Sequence, residues 1–399
     1  MKGSKVVVGV TGGIAAYKAA ELVRLLVKEG AITQVAMTHH ATKFITPLTL
    51  ETLSGNRVVA DMWSADTHPF DHITWGQDSD LIIIAPATAN FIGKMAHGIG
   101  DDFLSTLMIA ATAKVLVCPS MNTQMYSSRA VQENLGILKA RGCVILEPGS
   151  GELACRTEGQ GRLPEPEDIV EQARMLLTKQ DLAGLRILVT AGATLEPLDP
   201  VRYFSNRSSG KMGYALARAA RRRGAEVTLV SGPTALKPPR DVALSRVKTA
   251  EEMRQRVLAE HRQVDVIIKA AAVLDWRPKE TSAHKIKKGA GVQTLELVEN
   301  PDILAELGRG RGNHRCLLVG FAAETKDLVA NAQEKLEKKN LDLIVVNDVS
   351  REDAGFEADT NAVKIVYRDG HVEELPLAPK EDVADKLLDR IRILWEKSS

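Results

Sequence analysis

The stretch KVVVGVTGGIAAYKAAELVRLLVKEG, residues 5–30, decides how the fold is read. Its first six residues form a short apolar run, suited to a strand buried on both faces. Thr11-Gly12-Gly13 interrupts the run, and Ala16, Ala19, Leu22, Val23, Leu26 and Val27 then recur close to helical spacing. A strand, a tight turn and a helix are expected in that order. Near residue 186 the same device returns as RILVTAGAT (186–194), a long loop, SSGKMGYALARAARRRG (208–224) and the strand-like EVTLVSG (226–232). Between the two starts, PEPEDIVEQARMLLTKQDLAG (164–184) reads as a proline-initiated helix and a glycine-containing connection. One domain is expected over 1–180 and a second over 185–399.

In the first half, LIIIAPA (81–87) and KVLVCPS (114–120) are further apolar runs separated by helical patterns. In the second, VDVIIKAAAV (264–273), CLLVGFAAE (316–324) and DLIVVND (342–348) have the same character. The tail differs: NAVKIVYRDGHVEELPL (361–377) alternates around Asp369-Gly370, a hairpin signature, and EDVADKLLDRIRILWEK (381–397) closes the chain as a helix. The fold class is α/β, with two doubly wound domains, the second carrying an added antiparallel hairpin.

With 52 Lys plus Arg against 51 Asp plus Glu, the net charge is +1, so no global field draws nucleic acid or an anionic membrane. The densest basic cluster, Arg221-Arg222-Arg223, ends a helical pattern and is read as a solvated terminus complementing the helix dipole. Cys118, Cys143, Cys155 and Cys316 are scattered without a C-x-x-C pair, which argues against a disulfide framework or a zinc knuckle and fits a reducing cytoplasm. No apolar run reaches membrane-spanning length, and the N-terminal apolar run breaks too soon for a signal peptide. Cys155 sits in GELACRTEGQGRL (151–163), whose glycines and weak apolar period predict a mobile loop, an unusual place for a packing cysteine.

In doubly wound sheets ligands lie beyond the carboxyl ends of the strands, where a glycine turn before a helix presents N–H groups to phosphate. Thr11-Gly12-Gly13 and Thr190-Ala191-Gly192 hold that position. Neither opens a G-x-G-x-x-G fingerprint, and the next strands end in Met37-Thr38 and Ser231-Gly232 rather than in an acid for a ribose, which disfavours NAD. Gly210-Lys211 is preceded by Ser205 at the first Walker glycine position and followed by Met212, so it is not a P-loop. His68 and His72 are separated by Pro69 and lack a second ligand cluster, and no G-x-S-x-G elbow is present. Mononucleotide binding of two kinds remains.

TGGIAAYK, MTHHATKFI, DHITW, APATANFIGKMAHGIGDD, PSMN and the loop around Cys155, followed by VTAGATLEPLDPVRYFSNRSSGKMG, KAAAVLDWRP, HKIKK, ENPDIL, GFAAET and VVNDVS, stand in one order along nearly the whole chain. In that order they resemble the bacterial bifunctional phosphopantothenoylcysteine decarboxylase/phosphopantothenate–cysteine ligases of coenzyme A biosynthesis. The resemblance implies a flavodoxin-like domain binding FMN through Gly12, Gly13, Ile14, Thr38, Thr88, Asn90, Ser105 and Thr106. It implies oxidation of the substrate thiol to a thioaldehyde, whose conjugation accepts the electrons left by departing carbon dioxide. His72 is then the acid/base, Asn122 orients the substrate carboxylate, and Cys155 donates the proton for the final reduction of the enethiol. Arg156 replaces an expected glycine beside that cysteine, Leu163 a frequent methionine, and Tyr126 a frequent tryptophan.

For the second domain the resemblance implies CTP-dependent activation of phosphopantothenate as an acyl-cytidylate, with release of pyrophosphate, and displacement of CMP by the amine of L-cysteine. Gly192, Ala193, Thr194, Ser208, Ser209 and Gly210 would cradle phosphates. Asn206 holds the acyl-cytidylate, and Lys285 stabilises charge on the leaving group. Asp275, Asn300, Pro301, Asp302, Ile303 and Phe321 match nucleotide-binding positions, with Lys335 and Lys339, one helical turn apart, reaching the triphosphate. Mg²⁺ bridging the phosphates, with ligands unknown, and a homo-oligomer, a dodecamer in the family, are further expectations. Two alternatives stay open: a ligase with a degenerate flavin domain, and a non-enzymatic flavin-fold regulatory protein.

Overall fold

The computed structural model describes residues 1–152, 158–288, 294–312, 314–324, 327–348 and 358–397. The chain divides into two compact units, Met1–Thr178 and Lys179–Ser399.

The first unit runs β1 (Lys5–Val10), α1 (Lys18–Lys28), β2 (Ile32–Met37), α2 (Pro47–Ser54), β3 (Val58–Val59), α3 (Asp71–Asp78), β4 (Leu81–Ala87), α4 (Ala89–His97), α5 (Phe103–Ala110), β5 (Lys114–Pro119), α6 (Thr123–Ser127), α7 (Arg129–Ala140), β6 (Val144–Ile145), β7 (Gly149–Glu152), β8 (Glu158–Arg162) and α8 (Pro166–Leu177). The main sheet has the order β3-β2-β1-β4-β5-β6, all parallel. Without the two-residue edge strand β3 this is the flavodoxin order, and the order reverses between β1 and β4. Alternate residues of β1 feed opposite layers: Val6, Val8 and Val10 pack with Leu22 and Leu26 of α1, while Val7 packs with Phe91 and Leu104 across the sheet.

The second unit runs β9 (Arg186–Ala191), β10 (Leu195–Pro197), β11 (Tyr203–Ser205), α9 (Lys211–Arg222), β12 (Glu226–Ser231), β13 (Ala243–Arg246), α10 (Ala250–Glu260), β14 (Val266–Lys269), β15 (Trp276–Pro278), β16 (Leu297–Glu299), α11 (Ile303–Arg309), β17 (Leu317–Glu324), α12 (Leu328–Lys338), β18 (Leu343–Asp348), β19 (Thr360–Tyr367), β20 (Val372–Pro379) and α13 (Lys380–Lys397). Its eight-stranded sheet has the order β13-β12-β9-β14-β17-β18-β19-β20. The first six strands are parallel, and the β19–β20 hairpin joins antiparallel at β18. The order reverses between β9 and β14.

Three expectations need correction. GELACRTEGQGRL is not wholly loop: β7 and β8 pair antiparallel on either side of residues 153–157, which lie outside the described residues with Cys155 and Arg156. This ribbon hides from pattern reading because its glycines replace apolar alternation. Gly159 and Gly161 adopt φ of +156° and +151°, and a Cβ on Gly161 would stand 2.1 Å from the carbonyl oxygen of Met121. The long loop after β9 likewise contains the β10–β11 hairpin, whose three-residue strands are too short to show a period. Finally, Arg222 and Arg223 are buried, not solvated. Arg222 pairs with Glu381 at 2.7 Å, and Arg223 with Asp181 and Asp389, each at 2.8 Å. The basic end of α9 meets the acidic face of α13, a partner too distant in sequence for local reading.

Candidate functional site

Each unit opens a cavity at the carboxyl ends of its strands, where the strand order reverses. The first has a volume of about 1140 Å³. β1 delivers Thr11, Gly12 and Gly13 to its floor, β2 delivers Thr38, β4 delivers Thr88 and Asn90, and β5 delivers Ser120 and Asn122. The turns are tied together locally. The Thr11 hydroxyl donates to the Pro86 carbonyl at 2.7 Å and accepts from the Thr88 N–H at 3.0 Å. Thr88 caps α4 by accepting from the Phe91 N–H at 3.4 Å, and the Asn122 side chain caps α6 by accepting from the Gln124 N–H at 2.8 Å. Gly12 cannot carry a side chain without rearrangement, since its Cβ would lie 2.3 Å from Cβ of His40. Gly13 is more open, its nearest neighbour being Cγ2 of Thr88 at 3.4 Å. The result is a bare backbone cradle between helix starts, suited to a phosphate.

Among the expected flavin residues, Gly12, Gly13, Ile14, Thr38, Thr88 and Asn90 line this cavity, as does Asn122, the residue expected to orient the substrate carboxylate. Ser105 and Thr106 do not: Ser105 completes a capping box with Asp102, and the Thr106 hydroxyl donates to the Asp102 carbonyl at 2.8 Å. His72, on the first turn of α3, is also absent from the lining. Sequence reasoning missed Lys94, Asp101 and Asp102. Lys94 pairs with Asp101 at 2.6 Å and Asp102 at 3.4 Å on the cavity wall. Burial would lower the Lys94 ammonium, but the two carboxylates outweigh it and raise it above its ordinary value. The opening of GIGDD was the available signal, a glycine pair leading two acids into a helix start.

The second cavity holds about 370 Å³. Gly192 and Gly210 take φ of +78° and +80°, and a Cβ on Gly210 would lie 3.2 Å from the Gly192 nitrogen, so the turn after β9 and the start of α9 approach as two backbones. Asn206, Ser208, Ser209 and Gly210 line one side, and Asp275, Asp302, Phe321, Lys335 and Lys339 the other. The Asn206 amide donates to the Ala272 carbonyl at 3.3 Å. Asp302 caps α11, accepting from the Ala305 N–H at 3.1 Å, and pairs with Lys339 at 2.9 Å. Burial would raise the Asp302 carboxyl, but Lys339 and the cap bond hold it below its ordinary range. Lys335 pairs with Glu324.

Gly192, Ala193 and Thr194 stand behind the lining: the Thr194 hydroxyl accepts from the Leu274 N–H at 3.3 Å, joining the two switch-point loops. Asn300 acts similarly, donating to the Leu274 carbonyl at 2.9 Å. Pro301 and the buried Ile303 seat the start of α11. Lys285 is exposed and outside the lining. The structure adds Lys269, Asn347, Asn361 and Lys380 to this cavity: Lys269 and Asn347 fall within KAAAVLDWRP and VVNDVS without having been singled out, and Asn361 and Lys380 lie outside the motifs that carry the resemblance. Among the described residues no group of three or more His, Cys, Asp or Glu side chains could hold a metal, and no helix is long and apolar enough to cross a membrane.

Two family profiles match the chain, one described as "Flavoprotein" over residues 1–178 and one as "DNA/pantothenate metabolism flavoprotein C-terminal domain" over 182–394. The chain is 47% identical over 394 residues to the coenzyme A biosynthesis bifunctional protein CoaBC of Bacillus subtilis, covering 98% of this chain and 97% of that protein. To the protein of the same name from Escherichia coli K12 it is 47% identical over 404 residues, covering 100% and 99%. A crystal structure of the C-terminal domain of a CoaBC protein is 44% identical, with a TM-score of 0.47, over 55% of this chain and 100% of that one. The chain belongs to the family of bifunctional coenzyme A biosynthesis proteins, with a flavoprotein domain followed by a DNA/pantothenate metabolism flavoprotein C-terminal domain.

Proposed function

We propose that the chain makes phosphopantothenoylcysteine in its second unit and decarboxylates it in its first. The observation that carries this reading is the pairing of a glycine cradle with Asn122 on one cavity in the first unit, and of a second cradle with Asn206 and a lysine-rich wall in the second.

FMN fits the first cavity, whose lining combines the bare glycine turn Gly12-Gly13 with the side chains of Thr38, Thr88 and Asn90. FMN supplies the two-electron oxidation that gives the departing carboxylate an electron sink. Gly12, Gly13 and Ile14 would offer N–H groups to its phosphate, with the Thr38 and Thr88 hydroxyls beside them. Asn122 presents an amide from the same wall and would hold the substrate carboxylate. Cys155, outside the described residues, is proposed as the proton donor at the end of the sequence. His72 lies off the cavity of its own chain. Its proposed role as acid/base is met if His72 reaches the cavity of a second copy of the chain in a homo-oligomer.

In the second unit, a carboxylate oxygen of phosphopantothenate attacks the α-phosphorus of CTP and pyrophosphate leaves. The cysteine amine then attacks the acyl carbon, CMP leaves, and the amine proton is lost. Asn206 would hold the acyl-cytidylate, Lys335 and Lys339 the phosphates, and Phe321 the base. A Mg²⁺ ion would be held mainly by the nucleotide, since among the described residues no group of three or more His, Cys, Asp or Glu side chains could hold it. Lys285 can act on the leaving group only if its exposed segment closes on the cavity.

The test uses the purified full chain. Co-purifying flavin, carbon dioxide release from phosphopantothenoylcysteine, and pyrophosphate release from CTP that needs phosphopantothenate support the reading. A flavin-free protein that still ligates would reduce it to a ligase, and failure of both reactions would overturn it. Asn206→Asp is expected to let the acyl-cytidylate escape or accumulate, and unchanged ligation would remove that role from Asn206.

A further inference from the structure

Lys269 is the last residue of β14, flanked in register by Thr190 of β9 and Gly320 of β17. It therefore stands at the carboxyl edge of the sheet, beside the reversal of strand order. Strand alternation puts it on the same face as Ile267, two residues earlier, which packs with Met253, Leu304 and Leu336. That layer is apolar, and Lys269 ends it at the cavity wall. No hydrogen bond or ion pair among the described residues involves its ammonium. The charged groups that act on it are Lys339, Asp302 and Asp275, and Asp302 is already paired with Lys339 at 2.9 Å. Lys335, on the next turn of α12, is paired with Glu324.

A lysine at the end of an apolar strand is costly without an anion, and a purely structural role would be served by a bonded carboxylate. The cavity beside it already has Lys335 and Lys339 on its wall. We propose that Lys269 is a further ligand of the nucleotide's phosphates, forming with Lys335 and Lys339 a three-lysine clamp. This rests on the CTP-dependent reading of the second unit. It goes beyond that reading in assigning the anion that completes the one cation of the set lacking a protein partner among the described residues.

The placement carries a linkage. Burial, with Lys339 adding to it, brings the Lys269 ammonium down to about 8 against the opposing pull of Asp302 and Asp275. A bound polyphosphate favours the charged form and raises that value again, so nucleotide binding takes up a proton. The affinity is then constant below the ligand-free value and weakens as pH rises through it, reaching a limit only above the ligand-bound value.

The experiment is calorimetric titration of the full chain with CTP and Mg²⁺, without the acid substrate, at pH 7 to 9 in buffers of different ionisation enthalpy. Wild type should take up about half a proton per CTP near pH 8, where the free lysine is half charged. Lys269→Met should bind roughly tenfold or more weakly at pH 7, the value of one charge-assisted bond, and take up none of that proton. Lys269→Arg should restore the affinity without the uptake, which separates lost charge from misfolding. Lys269→Met with wild-type affinity and uptake overturns the inference while leaving the ligase reading in place. Wild type that binds no CTP overturns the ligase reading and the inference with it.

Discussion

Gly12 and Gly13 are adjacent, share one turn and line one cavity, yet the geometry gives them opposite tolerances. An alanine methyl at position 12 would stand 2.3 Å from Cβ, 2.9 Å from the carbonyl carbon and 3.2 Å from Cα of His40. These are backbone and Cβ atoms, so no rotamer change relieves the collision. Either the turn after β1 or the segment after β2 must move. Overpacking of that kind costs about 1–3 kcal/mol. At position 13 the nearest atom is Cγ2 of Thr88 at 3.4 Å, an ordinary contact, and the backbone has φ −146°, open to any residue. Gly13→Ala should therefore be neutral in the flavin-free protein, or gain about 0.4–1 kcal/mol from a stiffer unfolded chain. For a unit of this size each kcal/mol moves the melting temperature by roughly 2–4 °C. Flavin-free Gly12→Ala should melt several degrees below wild type and Gly13→Ala level with it. Both should retain less flavin after gel filtration, Gly12→Ala because relieving the collision displaces the turn and Gly13→Ala because its methyl stands beside Thr88 on the cavity wall. The assay is differential scanning calorimetry of the first unit's transition, with flavin content read by absorbance. A Gly12→Ala protein that melts with wild type and keeps its flavin refutes the steric argument, as does a Gly13→Ala protein that is the less stable of the two.

Arg223→Leu leaves Asp181 without its main partner at the buried α9–α13 seam and should destabilise the second unit by about 3–5 kcal/mol in denaturant titration. Its hydrogen bonds hold the Asp181 carboxyl below the ordinary 3.8, so this stabilisation is present above that pH and lost as pH falls through the lowered value; the variant should show a flatter acid limb. Gly308→Ala brings a Cβ to 2.0 Å from the carbonyl oxygen of Lys339. It should cost about 1–3 kcal/mol and weaken CTP binding by parting the Asp302–Lys339 pair, measured by melting and by titration. Cys155→Ser should keep FMN and still release carbon dioxide, while mass spectrometry finds a product two hydrogen atoms lighter; the normal product at the wild-type rate would remove the proton-donor role.

The alternating sheet and helix layers were legible because each buried strand carries its own apolar run and each glycine turn announces the helix that follows. LIIIAPA and VDVIIKAAAV are long enough to declare themselves without any distant partner. The short ribbons β7–β8 and β10–β11 were not legible, since glycine conformation and three-residue strands leave no period to read. The candidate sites divide along the same line. Gly12, Gly13, Thr88 and Asn206 belong to local devices, a turn or a loop next to a strand end, and residue order displays them. Ser105 shows the hazard of that method, because a hydroxyl at a helix start serves its own backbone as readily as a ligand. Arg223 and Lys269 expose the deeper limit. Each is a cation whose meaning lies in which anions the fold brings to it. For Arg223 the fold supplies Asp181 and Asp389. For Lys269 it supplies the edge of a cavity and, among the described residues, no bonded carboxylate. Similar charge in sequence thus separates in space into a structural joint and a binding group, and the distinguishing observation is whether the cation is enclosed between helices or faces the cavity.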